Sequence, residues 1–334
     1  MKLPLEEIQK IAIFRALQLG DLLCAIPAIR TLRHSYPHSR ISLIGLPGMR
    51  EIATRFPHYI DEFIDFPGYP GLPEQQFDAE KFALFREEMN ERRFDLILQM
   101  QGNGSIVNAM LGSFGAKYLS GFCEHREKES PLMLCYPNYG HEVTRHLALM
   151  KHLECEDTEN LEMEFPITEH DGYELEKRGP RLNSGEYVCI HPGSRGSWRQ
   201  WPPLYFASVA DICSAYGYKV VITGTAAEVE LAEKIAGLMR HQPLVTSGKT
   251  NLGMVALLIK NAQALICNCT GVSHIAAALK TKSVVISMDG EPERWGPLDK
   301  SLHRTIDWTT TPDYKLVQNE VTALLSVKEM HHSG

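Results

Sequence analysis

Ile11-Ala12-Ile13-Phe14-Arg15, followed by Ala16-Leu17-Gln18 and then Leu19-Gly20-Asp21-Leu22, is the stretch on which the fold turns. Its apolar, partly β-branched start predicts a strand over 11–15, and apolar residues at helical spacing predict a helix over 22–34. A strand handing over to a helix through a short loop opens a βαβ unit. In open α/β sheets that loop lies at the ligand crevice. Gly20 lets the backbone turn tightly, and Asp21 falls at the expected helix N-cap. Two readings of Asp21 stay open. It caps the helix, or it stands at the crevice edge as a general base for an attacking hydroxyl.

The same alternation continues outward from this unit. Further strands are predicted over 41–45, 61–66, 95–100 and 117–121, with helices over 49–56, 78–92, 105–114 and 141–152. The charged stretch 154–185 contains Pro166, Gly172, Gly179, Pro180 and Gly185 and breaks the rhythm, with room for a short element of its own. The alternation then restarts. Strands are predicted over 187–191, 219–223, 244–246, 264–268 and 283–287, with helices over 204–216, 227–239, 252–261 and 272–279. The pattern predicts an α/β protein of two Rossmann-like parallel-sheet domains facing each other across a cleft. The expected division is an N-terminal domain over 1–165, a linker over 166–185 and a C-terminal domain over 186–312. A terminal helix within 313–330, with its apolar period over 314–328, is expected to pack back toward the first half.

Bulk composition agrees with two ordinary cores. The chain has 334 residues, 44% hydrophobic and 22% charged, with a net charge of −7. No basic stretch reads as a nucleic-acid patch. The eight cysteines are scattered without metal-ligand or redox spacing, and Cys267-Asn268-Cys269 reads as two buried strand-end thiols. The segment 1–10 lacks a signal-peptide core, and no apolar run of about 18 residues occurs. A cytoplasmic location, without a transmembrane span, is expected. A lipid-linked substrate would be met at the membrane surface.

Two further loops carry chemistry. His191-Pro192-Gly193-Ser194-Arg195-Gly196-Ser197-Trp198-Arg199-Gln200-Trp201-Pro202 ends the strand over 187–191. Its small residues offer backbone N–H groups to phosphate oxygens, and Arg195 and Arg199 add positive charge. It also reads as a solvated polar loop, with Trp198 and Trp201 packing at a domain edge. Cys269-Thr270-Gly271-Val272-Ser273-His274 leads from a strand into a helix whose N-terminus favours an anion. His274 is aimed at that anion or simply satisfied by a neighbour. GxGxxG after the first strand, Walker A and GxSxG are all missing, as is any Asp-x-Asp for holding a divalent ion on a diphosphate. Arg, Ser, Thr and helix N-termini are then expected to meet the diphosphate charge, with no metal and no resident cofactor.

The order of these motifs resembles glycosyltransferase family 9, the ADP-heptose:lipopolysaccharide heptosyltransferases. Arg15-x4-Gly20-Asp21-x5-Pro27-Ala28-Ile29-Arg30 is similar to the family's opening. Phe94 to Gly102, the 191–202 loop, Gly224-Thr225-Ala226-Ala227-Glu228, Thr270 to Ala278 and Arg294-Trp295-Gly296-Pro297 extend the likeness over most of the chain. The resemblance implies a GT-B fold and an inverting, metal-independent transfer from an ADP-linked sugar. The implied acceptor is the lipid A-linked lipopolysaccharide core or a similar glycan, met at the cytoplasmic face of the inner membrane.

Carried over position by position, the resemblance makes Asp21 the catalytic base. It places Ser194, Ser197, Arg199, Thr270, Gly271 and His274 around the donor phosphates, Glu228 at the ribose and Thr250 near the adenine. Gln101, Gly102 and Asn103 fall at the acceptor. Two positions depart from the pattern. Arg199 stands where the family has Lys, and Cys269 stands where it commonly has an Asp that grips donor sugar hydroxyls. The second departure leaves the donor sugar open. Alternatives are another GT-B enzyme with a different donor, a nucleotide-sugar 2-epimerase, or a nucleotide-sugar-binding protein without activity.

Overall fold

The computed structural model describes residues 7–326; of the segments discussed above, 1–6 and 327–330 lie outside the described residues. The chain divides into two compact units, the first ending at Met163 and the second starting at Glu164. In the first unit the elements run β1 (Lys10–Phe14), α1 (Leu19–Ser35), β2 (Arg40–Gly45), α2 (Arg50–Ala53) and β3 (Glu62–Asp65). They continue with α3 (Ala79–Arg92), β4 (Leu96–Gln99), α4 (Val107–Gly112), β5 (Tyr118–Cys123), β6 (Met133–Cys135) and α5 (Glu142–His152).

The second unit begins with α6 (Glu169–Arg178), β7 (Tyr187–His191), α7 (Pro203–Ala215), β8 (Lys219–Ile222), α8 (Val229–Leu238) and β9 (Leu244–Val245). It continues with α9 (Leu252–Asn261), β10 (Ala264–Asn268), α10 (Gly271–Ala278), β11 (Ser283–Ser287), α11 (Pro292–Trp295), β12 (His303–Asp307) and α12 (Tyr314–Ser326).

Each unit carries a six-stranded, wholly parallel sheet among the described residues. The orders are β3-β2-β1-β4-β5-β6 and β12-β11-β10-β7-β8-β9. Counted within its own unit, each sheet has the 3-2-1-4-5-6 order of a doubly wound fold, so the strand order reverses between β1 and β4 and again between β7 and β10. Central strands read as unbroken apolar runs because helices cover both sheet faces. β7, β10 and β11 are buried at every position.

The first core is aromatic, with Phe14, Phe66, Phe85 and Phe114 meeting edge to face at centroid distances of 5.0–5.9 Å. In the second core Trp201 is fully buried against Tyr205, Phe206, Trp308 and Tyr314. Trp201 is thus a core residue and does not pack at a domain edge.

The apolar stripe of the terminal helix lies within its own unit. Val317, Val321, Leu324 and Leu325 form a stripe at helical spacing, buried in the second unit's own core against the side of α7, β10 and β11. The stretch read as a linker holds α6, which starts in a Thr168–Asp171 capping box and packs on α9. β6 and β12 went unpredicted. β12, His303-Arg304-Thr305-Ile306-Asp307, is an edge strand with one aliphatic residue, so it lacks an apolar run.

Candidate functional site

In the first unit the chemistry gathers where β1 and β4 diverge. α1 begins three residues earlier than its apolar pattern suggests, with Gln18 extended at φ −89° and ψ 178° as the N-cap. Asp21 is thus the third residue of the helix, and the N-cap placement is corrected. Its Oδ2 accepts from the Gln18 N–H at 3.2 Å, the reach-back arm of a capping box. Oδ1 faces the Arg15 guanidinium at 3.6 Å, and the side chain keeps 23% exposure. The cap leaves this carboxylate partly open to solvent, so capping and base chemistry are compatible on one residue.

β4 delivers Gln101, Gly102 and Asn103 to the same edge. Gln101 is buried, and its Oε1 accepts from the Ala16 N–H at 2.7 Å, which ties the two loops together. Gly102 takes φ +54°, and Asn103 Oδ1 accepts from the Ser105 N–H at 3.1 Å. Both amide oxygens serve the loop itself.

Sequence reasoning missed what lies beneath Asp21. Arg15 is fully buried; its Nε donates to the Asp21 carbonyl at 2.7 Å, and its guanidinium also reaches the Met100 carbonyl. Its Nη2 lies 3.4 Å from Glu142 Oε1 on α5. Tyr136 Oη donates to Glu142 Oε2 at 3.0 Å, and Arg145 and His146 approach the same carboxylate at 3.6 and 3.4 Å. A buried carboxylate requires such company, since stripping its water costs several kcal/mol. The available signal was Glu142, Arg145 and His146 at i, i+3 and i+4 on an otherwise apolar helix face.

The second unit repeats the topology with different chemistry. Asn268, at the end of β10 and wholly buried, accepts from the Trp201 N–H at 2.9 Å and donates to the Pro192 carbonyl at 2.7 Å. This staple holds the 191–202 loop beside the start of α10. Ser194 is half-buried, and Ser197, exposed, opens a 3-10 turn that ends at Arg199. Trp198 is 67% exposed, with the Arg199 guanidinium 5.5 Å from its ring centre. Arg199 is paired with Asp289, just past β11, a residue the sequence reading did not select. Thr270 caps α10 through its backbone while its side chain makes no cap hydrogen bond, so the first-turn amides face the strand edge without that acceptor. Gly271 opens that helix. His274 is buried one turn in, its ring 6.3 Å from Trp295.

Glu228 binds the Thr225 N–H and hydroxyl at 2.7 and 2.9 Å. It lies so close to Gly193 that a Cβ there would collide with its carboxylate. Gly248, at φ +70°, and Gly224 keep the neighbouring strand ends free of side chains. Ser247 Oγ is buried there with no hydrogen-bond partner among the described residues. Thr250 donates its hydroxyl to the Thr246 carbonyl at 3.3 Å.

Burial depresses the His191 pKa, an effect the Glu228 carboxylate opposes, so the imidazole is neutral near pH 7; its Nδ1 lies 3.0 Å from Thr223 Oγ1. Burial, with help from Asp289, pushes the Cys269 thiol up to about 12, which leaves it an uncharged group. All eight cysteines are free thiols. Among the described residues no three His, Cys, Asp or Glu side chains gather as metal ligands, and no helix is long and apolar enough to cross a membrane.

Two units, each with a doubly wound parallel sheet, have the topology of the GT-B fold. Comparison with known proteins gives the family. The model of glycosyltransferase family 9 (heptosyltransferase) matches residues 82–321. Lipooligosaccharide heptosyltransferase 2 of Haemophilus ducreyi is 24% identical over 318 residues, covering 87% of this chain and 86% of that protein. A family 9 glycosyltransferase structure from Veillonella parvula superposes with a TM-score of 0.79 at 19% identity, covering 97% and 98% of the two chains. The structure of E. coli ADP-heptose LPS heptosyltransferase II gives a TM-score of 0.74 at 21% identity, with 96% and 100% covered. The chain belongs to glycosyltransferase family 9.

Proposed function

We propose that the protein is an inverting, metal-independent transferase that moves a sugar, heptose or a relative, from an ADP-linked donor to a hydroxyl of the lipopolysaccharide core. The carrying observation is the carboxylate of Asp21, capped yet partly exposed, at the switch point of the first sheet. In this reading Asp21 removes the proton from the acceptor hydroxyl. The freed oxygen attacks the anomeric carbon opposite the nucleotide. The bond from that carbon to the diphosphate oxygen breaks, and its electron pair leaves with the diphosphate. Inversion follows from single displacement.

Arg15, fixed by Glu142 and by the Met100 carbonyl, orients Asp21 without competing for the proton. Gln101, Gly102 and Asn103 border the acceptor. In the second unit Ser194, Ser197, Arg199 and the amides at Thr270–Gly271 take the growing diphosphate charge, with His274 behind them. Glu228, packed against Gly193, holds the ribose, and the base lies toward Thr250. The ADP-linked donor is supported by the E. coli enzyme with the same fold, an ADP-heptose transferase. The lipopolysaccharide-type acceptor is supported by the H. ducreyi relative, a lipooligosaccharide enzyme. In this reading the acceptor is membrane-bound and is met at the cytoplasmic face of the inner membrane. One observation favours a donor other than heptose: Cys269 supplies no charge beside Thr270.

The test is Asp21→Asn. ADP binding should persist while turnover drops about a hundredfold or more. Undiminished turnover would leave Asp21 a helix-capping residue and remove the base from this scheme.

A further inference from the structure

The strand order of the second sheet lays its C-terminal ends in a row, β11, β10, β7, β8, β9. Past β8 and β9 the backbone at Gly224 and Gly248 packs tightly against Ser247 and Ala226, and the Ser247 hydroxyl there is unpartnered, the end of the row the donor reading gives to the nucleoside. At β7 and β10 it offers the Ser194–Arg199 loop and the start of α10, room for phosphates. The next position is the end of β11, and there stands Asp289. Its side chain is 6% exposed. Oδ1 accepts from Ser287 Oγ at 2.8 Å and from the Glu291 N–H at 3.3 Å, while Oδ2 pairs with Arg199. The carboxylate is therefore fixed from below, and its outer oxygen is held by a side chain that belongs equally to the phosphate loop.

We propose that Asp289 is the residue that selects a sugar-bearing donor over the bare nucleotide, by exchanging its Arg199 partner for a hydroxyl of the donor sugar. This rests on the donor reading above. A diphosphate bears two or more negative charges and draws Arg199 away from a single carboxylate. Oδ2, left without its cation, accepts a hydroxyl of the glycosyl group lying next in the row. Transfer then breaks the bond between the anomeric carbon and the diphosphate oxygen, which keeps the electron pair and adds one negative charge to the terminal phosphate. Asp289 now faces a more anionic neighbour and no hydroxyl. It repels the nucleoside diphosphate, and product leaves.

Asp289→Asn in the full chain separates this from a structural role. ADP affinity by isothermal titration should rise about three- to tenfold, because Arg199 is released and the repulsion is gone. Over the same substitution kcat/KM for ADP-heptose should fall about 10- to 100-fold, the worth of one charge-assisted hydrogen bond. A loss of ADP and ADP-heptose affinity in equal measure would mean that Asp289 only seats Arg199, and would overturn the inference. Should the Asn variant fail to fold, Asp289→Glu keeps the charge. It should leave ADP affinity within about twofold while lowering kcat/KM for ADP-heptose at least about fivefold, and unchanged turnover would overturn the inference. A wild-type protein that binds neither ADP nor ADP-heptose would instead overturn the donor reading beneath it.

Discussion

Replacing Asn268 by Ala removes an amide that is wholly buried and engages three backbone groups. The Trp201 N–H at 2.9 Å and the Pro192 carbonyl at 2.7 Å lose good partners, while the Gly193 carbonyl at 3.3 Å loses a weak one. Each well-bonded group left buried and unpaired costs about 1–3 kcal/mol, so the two together cost about 4 kcal/mol. With a urea slope near 2 kcal/mol per molar for a unit of this size, the unfolding midpoint falls by roughly 2 M.

The assay is convenient. Trp198, Trp201, Trp295 and Trp308 all lie in the second unit, so tryptophan emission follows that unit alone. Because Pro192 and Gly193 lead into Ser194–Arg199, ADP affinity should drop alongside, by about tenfold. A stability loss under about 0.5 kcal/mol would refute the reasoning, since it would mean that the loop's backbone finds other partners at no cost.

Gly193→Ala should weaken ADP binding about tenfold with little change in urea midpoint, because the new Cβ displaces the Glu228 carboxylate from the strand edge; wild-type affinity in a titration would show that Glu228 yields freely. His303→Gln should flatten the acid side of the stability profile. Burial lowers the His303 pKa to about 4, against 6.5 in an unfolded chain, and its Nδ1 lies 2.8 Å from Ser283 Oγ. Between those values the unfolded chain binds a proton the native one refuses, so stability falls as pH drops through the window and is complete above it. The contribution is at most about 3 kcal/mol, read as the difference in urea midpoint between pH 7.5 and 4.5. Matching acid profiles for variant and wild type would exclude it.

What could be read from the chain alone was whatever is local. Ile11 to Leu22 announces strand, turn and helix within one stretch, and the parallel alternation follows from repeating that pattern. Small residues in the 191–202 loop and at Thr270-Gly271 mark the loop after β7 and the start of α10, because such turns need no distant partner. Even here the helix boundary of α1 shifted. Apolar periodicity marks the buried face, whereas Gln18 and Asp21 set the actual start through polar contacts.

Tertiary structure decided everything that depends on pairing across the chain. Arg15 meets Glu142 across 127 positions, Arg199 meets Asp289 across 90, and Trp201 meets Asn268 across 67. Each joins polar groups far apart in the chain, and its identity carries no periodic signature. The terminal helix makes the same point: the spacing of Val317, Val321 and Leu324 foretold an apolar stripe but not the core that would cover it. A hydrophobic face is non-directional and fits many surfaces. Only the packed fold selects one.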